Sequence, residues 1–325
     1  MTSAGASKIG KFIAHDKLRS AQEEMAKDGI KALNQQGFLL AAAPTGIGKT
    51  AAALAATIEV ARNANSQQQI LFLTGRQSQH RIVIETVRNI NSRLEKEISK
   101  VKVVDLIGRE SMCDDIDRMT SKCSCEDGVI EGTRQSRRDD MREYILKDPK
   151  HVDEIIQMSK TKKICAWAAS RSAVKDCDIL VCDYNHVFVE NVRERSLPSM
   201  SIDLENTIII VDEAHNLVSR IVNKLGKKKQ SIPISLYTLL MKATNVKIVL
   251  LSVTPIINYP NEIGILFNIL RGNITSWSLK LDIREQKQIN TTYLRRTFYK
   301  STPFGCKRFF QKFIGKIIHQ QINYF

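Results

Sequence analysis

An α/β fold, with a parallel sheet covered by helices on both faces and interrupted by a mostly helical insertion, is predicted for this chain of 325 residues by three observations. Apolar, strand-like runs alternate with helical segments from the start of the chain. A glycine-rich turn, 41-AAAPTGIGKT-50, stands between the first of these strands and an alanine-rich helix. After a long polar stretch the apolar runs return, and one of them, 208-IIIVDEAHN-216, leads straight into two acids.

The pattern predicts a helix over 19–34, a strand over 37–42, a helix over 50–62, a strand over 69–74 (QILFLT), a long helix over 79–98 and a strand over 101–106 (VKVVDL). Residues 110 to 163 are polar, charged and helical in character, with no β-rich run. Strands are expected again at 178-DILVCDY-184, 207-TIIIVDE-213 and 247-KIVLLSVT-254. Neither half has enough strands for a comfortable sheet of its own. The expected division is therefore one α/β domain in two parts, 1–109 and 171–275, an insertion over 110–170, and a basic tail over 276–325.

Hydrophobic residues at 43% and charged residues at 26% exclude a largely disordered chain. The N-terminal stretch MTSAGASKIGKF has no apolar core of a secretory signal, and no apolar run approaches the roughly 20 residues that cross a bilayer. A cytoplasmic protein with no membrane partner is the expectation. The formal charge of +15 suggests a polyanion, and nucleic acid is the commonest one for an intracellular protein. Charge serving solubility alone is the competing explanation.

The turn fits the P-loop pattern G-x-x-x-x-G-K-[ST], with Ala43 in place of the first glycine. In such a loop, backbone N–H groups of Ala43, Pro44's neighbour Thr45, Gly46, Ile47 and Gly48 can surround phosphate oxygens, and the next helix points its positive end at them. Lys49 is placed to reach the outer phosphates, and the Thr50 hydroxyl to hold Mg²⁺. Residues 43–50 are thus the expected ATP site. Asp212 and Glu213 end a buried strand, where open α/β sheets collect ligand chemistry. Asp212 suits Mg²⁺, and Glu213 suits the water that attacks the γ-phosphate, so Lys49, Asp212 and Glu213 form the expected catalytic group. An acidic strand end also suits a helix cap. A later strand end, 252-SVT-254, offers two hydroxyls near the same sheet edge.

Taken in order, 18-LRSAQEEM-25, 43-APTGIGKT-50, 71-LFLTGRQSQHRIVIE-85, 107-IGRESMC-113, 163-KICAWAAS-170, 178-DILVCDYNHVF-188 and 209-IIVDEAHNL-217 resemble the XPD/Rad3-like, DinG-related branch of superfamily 2 iron-sulfur DNA helicases, archaeal members especially. The resemblance covers residues about 10 to 217. It implies a RecA-like motor domain that hydrolyses ATP and moves along single-stranded DNA, with DNA repair as a family-level expectation. It also implies that Thr74, Arg76 and Gln79 touch the DNA backbone and that Gln22 contacts the adenine side.

Seven cysteines in an intracellular chain argue against structural disulfides. Cys177, Cys182 and Cys306 lie in or beside apolar segments and read as packed thiols. Cys113, Cys123, Cys125 and Cys165 bracket the insertion, and four thiolates can hold a [4Fe-4S] cluster or a tetrahedral zinc. The resemblance implies the iron cluster. The Cys123/Cys125 pair, separated by one residue, is tighter than the family's usual spacing, which leaves a three-cysteine or metal-free site open.

The C-terminal third departs from the resemblance. Only residues 216–251 stand where those helicases carry an arch domain, and no Q-x-x-G-R-x-x-R element of a second motor domain follows Thr254. From residue 286 the tail carries eight lysines or arginines and no acid, with Tyr293, Phe298, Tyr299, Phe309 and Phe310 interleaved. That pattern suits single-stranded nucleic acid, and equally a terminus with no packed partner. Two function classes are expected: an ATP-dependent iron-sulfur helicase, or a non-motor protein that binds ATP and nucleic acid and needs a protein partner for activity.

Overall fold

The computed structural model describes residues 11–271 except 36, 65–67, 96–99, 114, 118, 121–122, 189, 223–245 and 255–260. Expectations about Cys306, residues 223–245 between the acids and the last strand, and the basic tail fall outside the described residues. Six parallel strands form one sheet: β1 (Phe38–Ala42), β2 (Gln69–Thr74), β3 (Val103–Leu106), β4 (Ile179–Asp183), β5 (Thr207–Val211) and β6 (Lys247–Ser252), in the order β1-β6-β5-β2-β4-β3. The helices of the N-terminal half are α1 (Ser20–Gln35), α2 (Lys49–Asn63) and α3 (Gln77–Asn91). The insertion supplies α4 (Arg109–Met112), α5 (Glu131–Lys147), α6 (Val152–Lys162) and α7 (Ala166–Ala173). Four more follow: α8 (Asn185–Phe188), α9 (Glu190–Ser199), α10 (Ala214–Val222) and α11 (Asn261–Arg271).

Strand composition explains why the sheet is buried on both faces. Along β2, Ile70 and Phe72 join one apolar core with α1, α2 and α3, whereas Leu71 and Leu73 join a second core with α5, α6, α7, α10 and α11. A period of two therefore sends alternate side chains into different cores, and a continuous Val/Ile/Leu run is what such a strand requires. Small residues set the spacing of α1 on α2: a Cβ on Gly29 would stand 3.1 Å from Ala56 Cβ. Among the described residues, no helix is long and apolar enough to cross a membrane.

The helix expected over 79–98 is shorter, beginning at Gln77 and ending at Asn91. Asn91 explains the end, because its side chain turns back to pair both ways with the Val101 backbone, at 2.9 and 2.8 Å. The strands around the acids and the hydroxyls also stop earlier than expected, at Val211 and Ser252. Asp212 and Glu213 are freed from the ladder as a result. The insertion is helical as expected, apart from a single antiparallel bridge, Ile116 to Cys123.

Candidate nucleotide site and cysteine cluster

Parallel register brings four chain segments to one edge of the sheet. Ala42 pairs with Ser252, Leu250 with Val211, Val211 with Leu73, and Thr74 with Asp183. The turn after β1, the acids after β5, the hydroxyls after β6 and the Thr74–Arg76 loop after β2 consequently lie side by side at the carboxyl ends of the strands, the edge where such sheets hold ligands.

The turn is built by glycine. Gly46 (φ 82°) and Gly48 (φ 87°) both take the left-handed conformation that side chains rarely adopt. The Lys49 ammonium donates to the carbonyls of Ala43 (2.7 Å) and Pro44 (3.2 Å), which stretches its side chain across the concave side of residues 43–48. Thr50 is the second residue of α2. Gln22 is 3% exposed and packs so closely on the turn that a Cβ at Gly48 would stand 2.1 Å from its Nε2. Its Oε1 accepts from the Arg19 backbone N–H at 3.0 Å, and the Arg19 guanidinium donates to the Gly46 carbonyl at 2.7 Å. Arg19 was not singled out in the sequence. Its only signal there is its place in the LRSAQ stretch beside Gln22.

Asp212 donates its backbone N–H to the Leu73 carbonyl at 2.9 Å. Its carboxyl is pushed up to about 6 by burial and by the neighbouring Glu213, against the pull of Lys49. Glu213 has φ 50°, and its Oε2 lies 3.2 Å from His215 Nδ1, which is also 3.1 Å from the Ser252 hydroxyl. His215 thus stands between Glu213 and the hydroxyl at the end of β6. Two adjacent carboxylates, one of them destabilised as an anion, are a donor set that suits a divalent cation of the Mg²⁺ class.

In the neighbouring loop, Thr74 is buried and its hydroxyl donates to Gln79 Oε1, while Arg76 precedes α3. Thr74, Arg76 and Gln79 are therefore held as one unit at the sheet edge.

The insertion brings together the sulfurs of Cys113, Cys123 and Cys125, all within 4.8 Å of one another, with Cys113 to Cys123 at 2.8 Å and Cys113 to Cys125 at 3.9 Å. Cys165, at the start of α7, stands outside that set of three but interacts with Cys123 and Cys125. Burial pushes the Cys113 thiol up to about 11, aided by Cys123, and burial likewise raises Cys125 and Cys165. Cys123 runs the other way: burial opposes its ionisation, but donation from Cys113 and Cys125 holds it below the ordinary thiol range. Convergent thiols of this kind fit a soft metal or an iron-sulfur cluster, which lowers thiol pKa on ligation. Glu126 braces the group, accepting from the Cys165 backbone N–H at 3.2 Å and from Arg138 Nε at 2.9 Å. Cys177 and Cys182 are fully packed, and burial raises both thiols, as expected of core residues.

The chain is 27% identical over 145 residues to the ATP-dependent DNA helicase CHL1 of Kluyveromyces lactis, covering 40% of this chain and 17% of that protein. It is 25% identical over 197 residues to the CHL1 helicase of Eremothecium gossypii, covering 61% of this chain and 23% of that protein. The chain thus spans less than a quarter of these curated relatives. A solved XPD helicase aligns with a TM-score of 0.45 and 19% identity, over 79% of this chain and 46% of that one. The parallel sheet, the glycine turn and the helical insertion with its cysteines form a RecA-like P-loop fold of the superfamily 2 helicase type. Residues 58–232, more than half of the chain, match the DEAD_2 family model, and the chain belongs to that family.

Proposed function

We propose that this chain is the ATP-binding motor domain of an iron-sulfur DNA helicase, which couples ATP hydrolysis to movement on single-stranded DNA. The observation that carries the proposal is the convergence of the Lys49 turn, the Asp212–Glu213 pair and Ser252 at one sheet edge, with Thr74, Arg76 and Gln79 on the adjoining loop. Family membership and the two CHL1 relatives point the same way.

Each residue has a separable task. The 43–48 backbone cradles phosphates, and Lys49 offsets the charge that develops on the transferred group. Gln22, packed against Gly48, takes the adenine-side contact beside that cradle. Glu213 orients and polarises the attacking water. Its backbone takes the left-handed conformation where the strand ends, and one carboxylate oxygen lies 3.2 Å from His215 Nδ1. Thr50 and Asp212 would hold Mg²⁺, which supplies Lewis-acid stabilisation of phosphate charge. Cys113, Cys123, Cys125 and Cys165 would hold a [4Fe-4S] cluster. Arg76 and Gln79 take the DNA backbone, and the charge of +15 adds long-range attraction for it.

Two variants test the assignment. Lys49→Ala is expected to abolish ATP hydrolysis and weaken nucleotide binding, whereas Glu213→Gln abolishes hydrolysis and keeps nucleotide binding, because the lost group acts on water. Steady-state ATPase rates and equilibrium binding of a fluorescent ATP analogue provide the readout. Parental hydrolysis in Lys49→Ala would refute the site. Binding of ATP and single-stranded DNA by the parent without any turnover would favour the second reading, a non-motor protein that needs a partner.

A further inference from the structure

Between the loop assigned to the DNA backbone and the hydrolytic acids stands one side chain that touches both. Tyr184 follows β4 immediately and is 8% exposed. Its backbone N–H donates to the Thr74 carbonyl at 3.2 Å, which ties its main chain to the end of β2. Its ring lies flush against Gly75: a Cβ at that position would stand 3.1 Å from Tyr184 Cε2 and 3.6 Å from Cδ2. Its hydroxyl reaches across the sheet edge and donates to the main-chain carbonyl of Asp212.

That carbonyl belongs to the peptide that joins Asp212 to Glu213. On its far side Glu213 holds φ at 50°, a left-handed conformation unusual for a residue with a side chain, and on its near side the Asp212 N–H is fixed on Leu73. The orientation of this peptide plane sets the backbone from which the Glu213 side chain projects, and the Tyr184 hydroxyl holds its carbonyl. The ring against Gly75 and the hydroxyl on the Asp212 carbonyl belong to one rigid side chain.

We propose that Tyr184 is a positioning residue that couples occupancy of the Gly75–Arg76 loop by a nucleic-acid backbone to the setting of the Asp212–Glu213 peptide, and so to nucleotide bound at the Lys49 turn. The inference rests on the functional assignment made above. It goes further in naming the physical link between the two ligands, and linkage requires that link to act in both directions.

Equilibrium binding tests it without requiring turnover. The affinity for a fluorescent oligothymidylate is measured with and without the non-hydrolysable analogue AMP-PNP and Mg²⁺, and the ratio of the two dissociation constants is the coupling factor. In the parent, that factor is expected to be at least about 5-fold, the lower end of typical allosteric coupling. Tyr184→Phe keeps the ring and deletes only the hydroxyl, and the factor should fall to near one. Gly75→Ala crowds the same ring from the other side and should also lower it. The double variant should be no lower than the worse single variant, because both changes break one link. Melting temperatures identify an unfolded variant, and either substitution alone can decide the matter if the other fails to fold. A coupled parent with undiminished coupling in Tyr184→Phe would overturn the inference and leave the site assignment standing. A parent that binds both ligands with no coupling would do the same. A parent that binds neither would overturn the assignment and the inference together.

Discussion

Substituting Gly48 by alanine separates two costs that are usually merged in a phosphate-binding turn. The first is backbone strain: φ is 87° at Gly48 and 82° at Gly46, so alanine at either position is placed in the left-handed region at a cost of about 1–2 kcal/mol. The second arises only at Gly48. There the new Cβ would stand 2.1 Å from Gln22 Nε2, whereas at Gly46 nothing lies within 4 Å. Nε2 ends a flexible side chain, so Gln22 moves aside and the main loss is its hydrogen bond with the Arg19 N–H, worth about 0.5–1.5 kcal/mol. Gly48→Ala should therefore destabilise by roughly 1 kcal/mol more than Gly46→Ala, which is about 2–4 °C in melting temperature for a domain of this size. Gly108→Ala is the control, because φ there is −56° and nothing lies within 4 Å. Thermal denaturation followed by circular dichroism measures all three. If Gln22→Ala is already present, the extra cost of Gly48→Ala over Gly46→Ala should vanish. Equal destabilisation by Gly46→Ala and Gly48→Ala in the parent background would refute the contact between Gln22 and the turn.

Anaerobically purified protein is expected to be brown, with the broad absorption near roughly 400 nm of thiolate-bound iron. Cys113→Ser or Cys165→Ser should remove the colour and Cys177→Ser should not; colourless protein with stoichiometric zinc would replace the iron assignment. Asp212 predicts a pH dependence opposite to that of a salt-bridged acid. Its folded-state value is raised to about 6 from 3.8, so protonation is favoured by folding, and the associated stability is present below pH 3.8 and lost as pH rises through 6. Asp212→Asn should accordingly raise the melting temperature of nucleotide-free protein at pH 8, by the equivalent of roughly 2–3 kcal/mol, and change it little at pH 3.8. An equal effect at both pH values would count against burial as the cause.

The parts of the molecule that were legible in the sequence are those specified by contiguous residues. Strand β5 could be located from IIIV because a strand buried on both faces needs an unbroken apolar run. The turn could be located from Gly46, Gly48 and Lys49 because a phosphate cradle needs positive φ and a cation at fixed offsets. Convergence of Cys113, Cys123 and Cys125 was suggested by their position around the insertion, but their mutual distances depend on how the Ile116–Cys123 bridge folds the segment back. Tyr184, His215 and Arg19 were not legible. Each acts through a contact between segments far apart in the chain, Tyr184 with Asp212, His215 with Ser252 and Arg19 with Gly46. No local periodicity records such a contact.

The least legible feature is a charge pair in the core. His80 and Asp105 are both 0% exposed, on α3 and β3, with Nδ1 and Oδ1 2.6 Å apart. Burial alone would strip the imidazole of its proton, yet the hydrogen bond that Nδ1 donates to Asp105 and the nearby Asp183 carboxylate, 3.7 Å from Nε2, together reverse that and raise His80 to about 9. The protonated ring is thus favoured, inside the protein. Replacing such a pair with apolar side chains is often neutral or stabilising, so its value lies in what it holds in place. Asp105 uses its second oxygen to accept from the Val152 backbone N–H at 2.9 Å, the first turn of α6. One carboxylate therefore joins the helix that follows the Arg76 loop to the helix that leads into Cys165. The ion pairs Arg81–Asp153 and Arg88–Glu154 join the same two helices, but at the surface, where water screens them. Helix α6 is 11 residues long, or about 16 Å, and a helix of that length is stiff. With its first turn fixed on Asp105, its last turn is fixed too, and so is the approach to Cys165 through Lys163, which takes φ 49°. The buried pair consequently adds a directional link between the cysteine-bearing insertion and the helix after the Arg76 loop, beside the apolar packing of Val152 and Ile155 on the sheet.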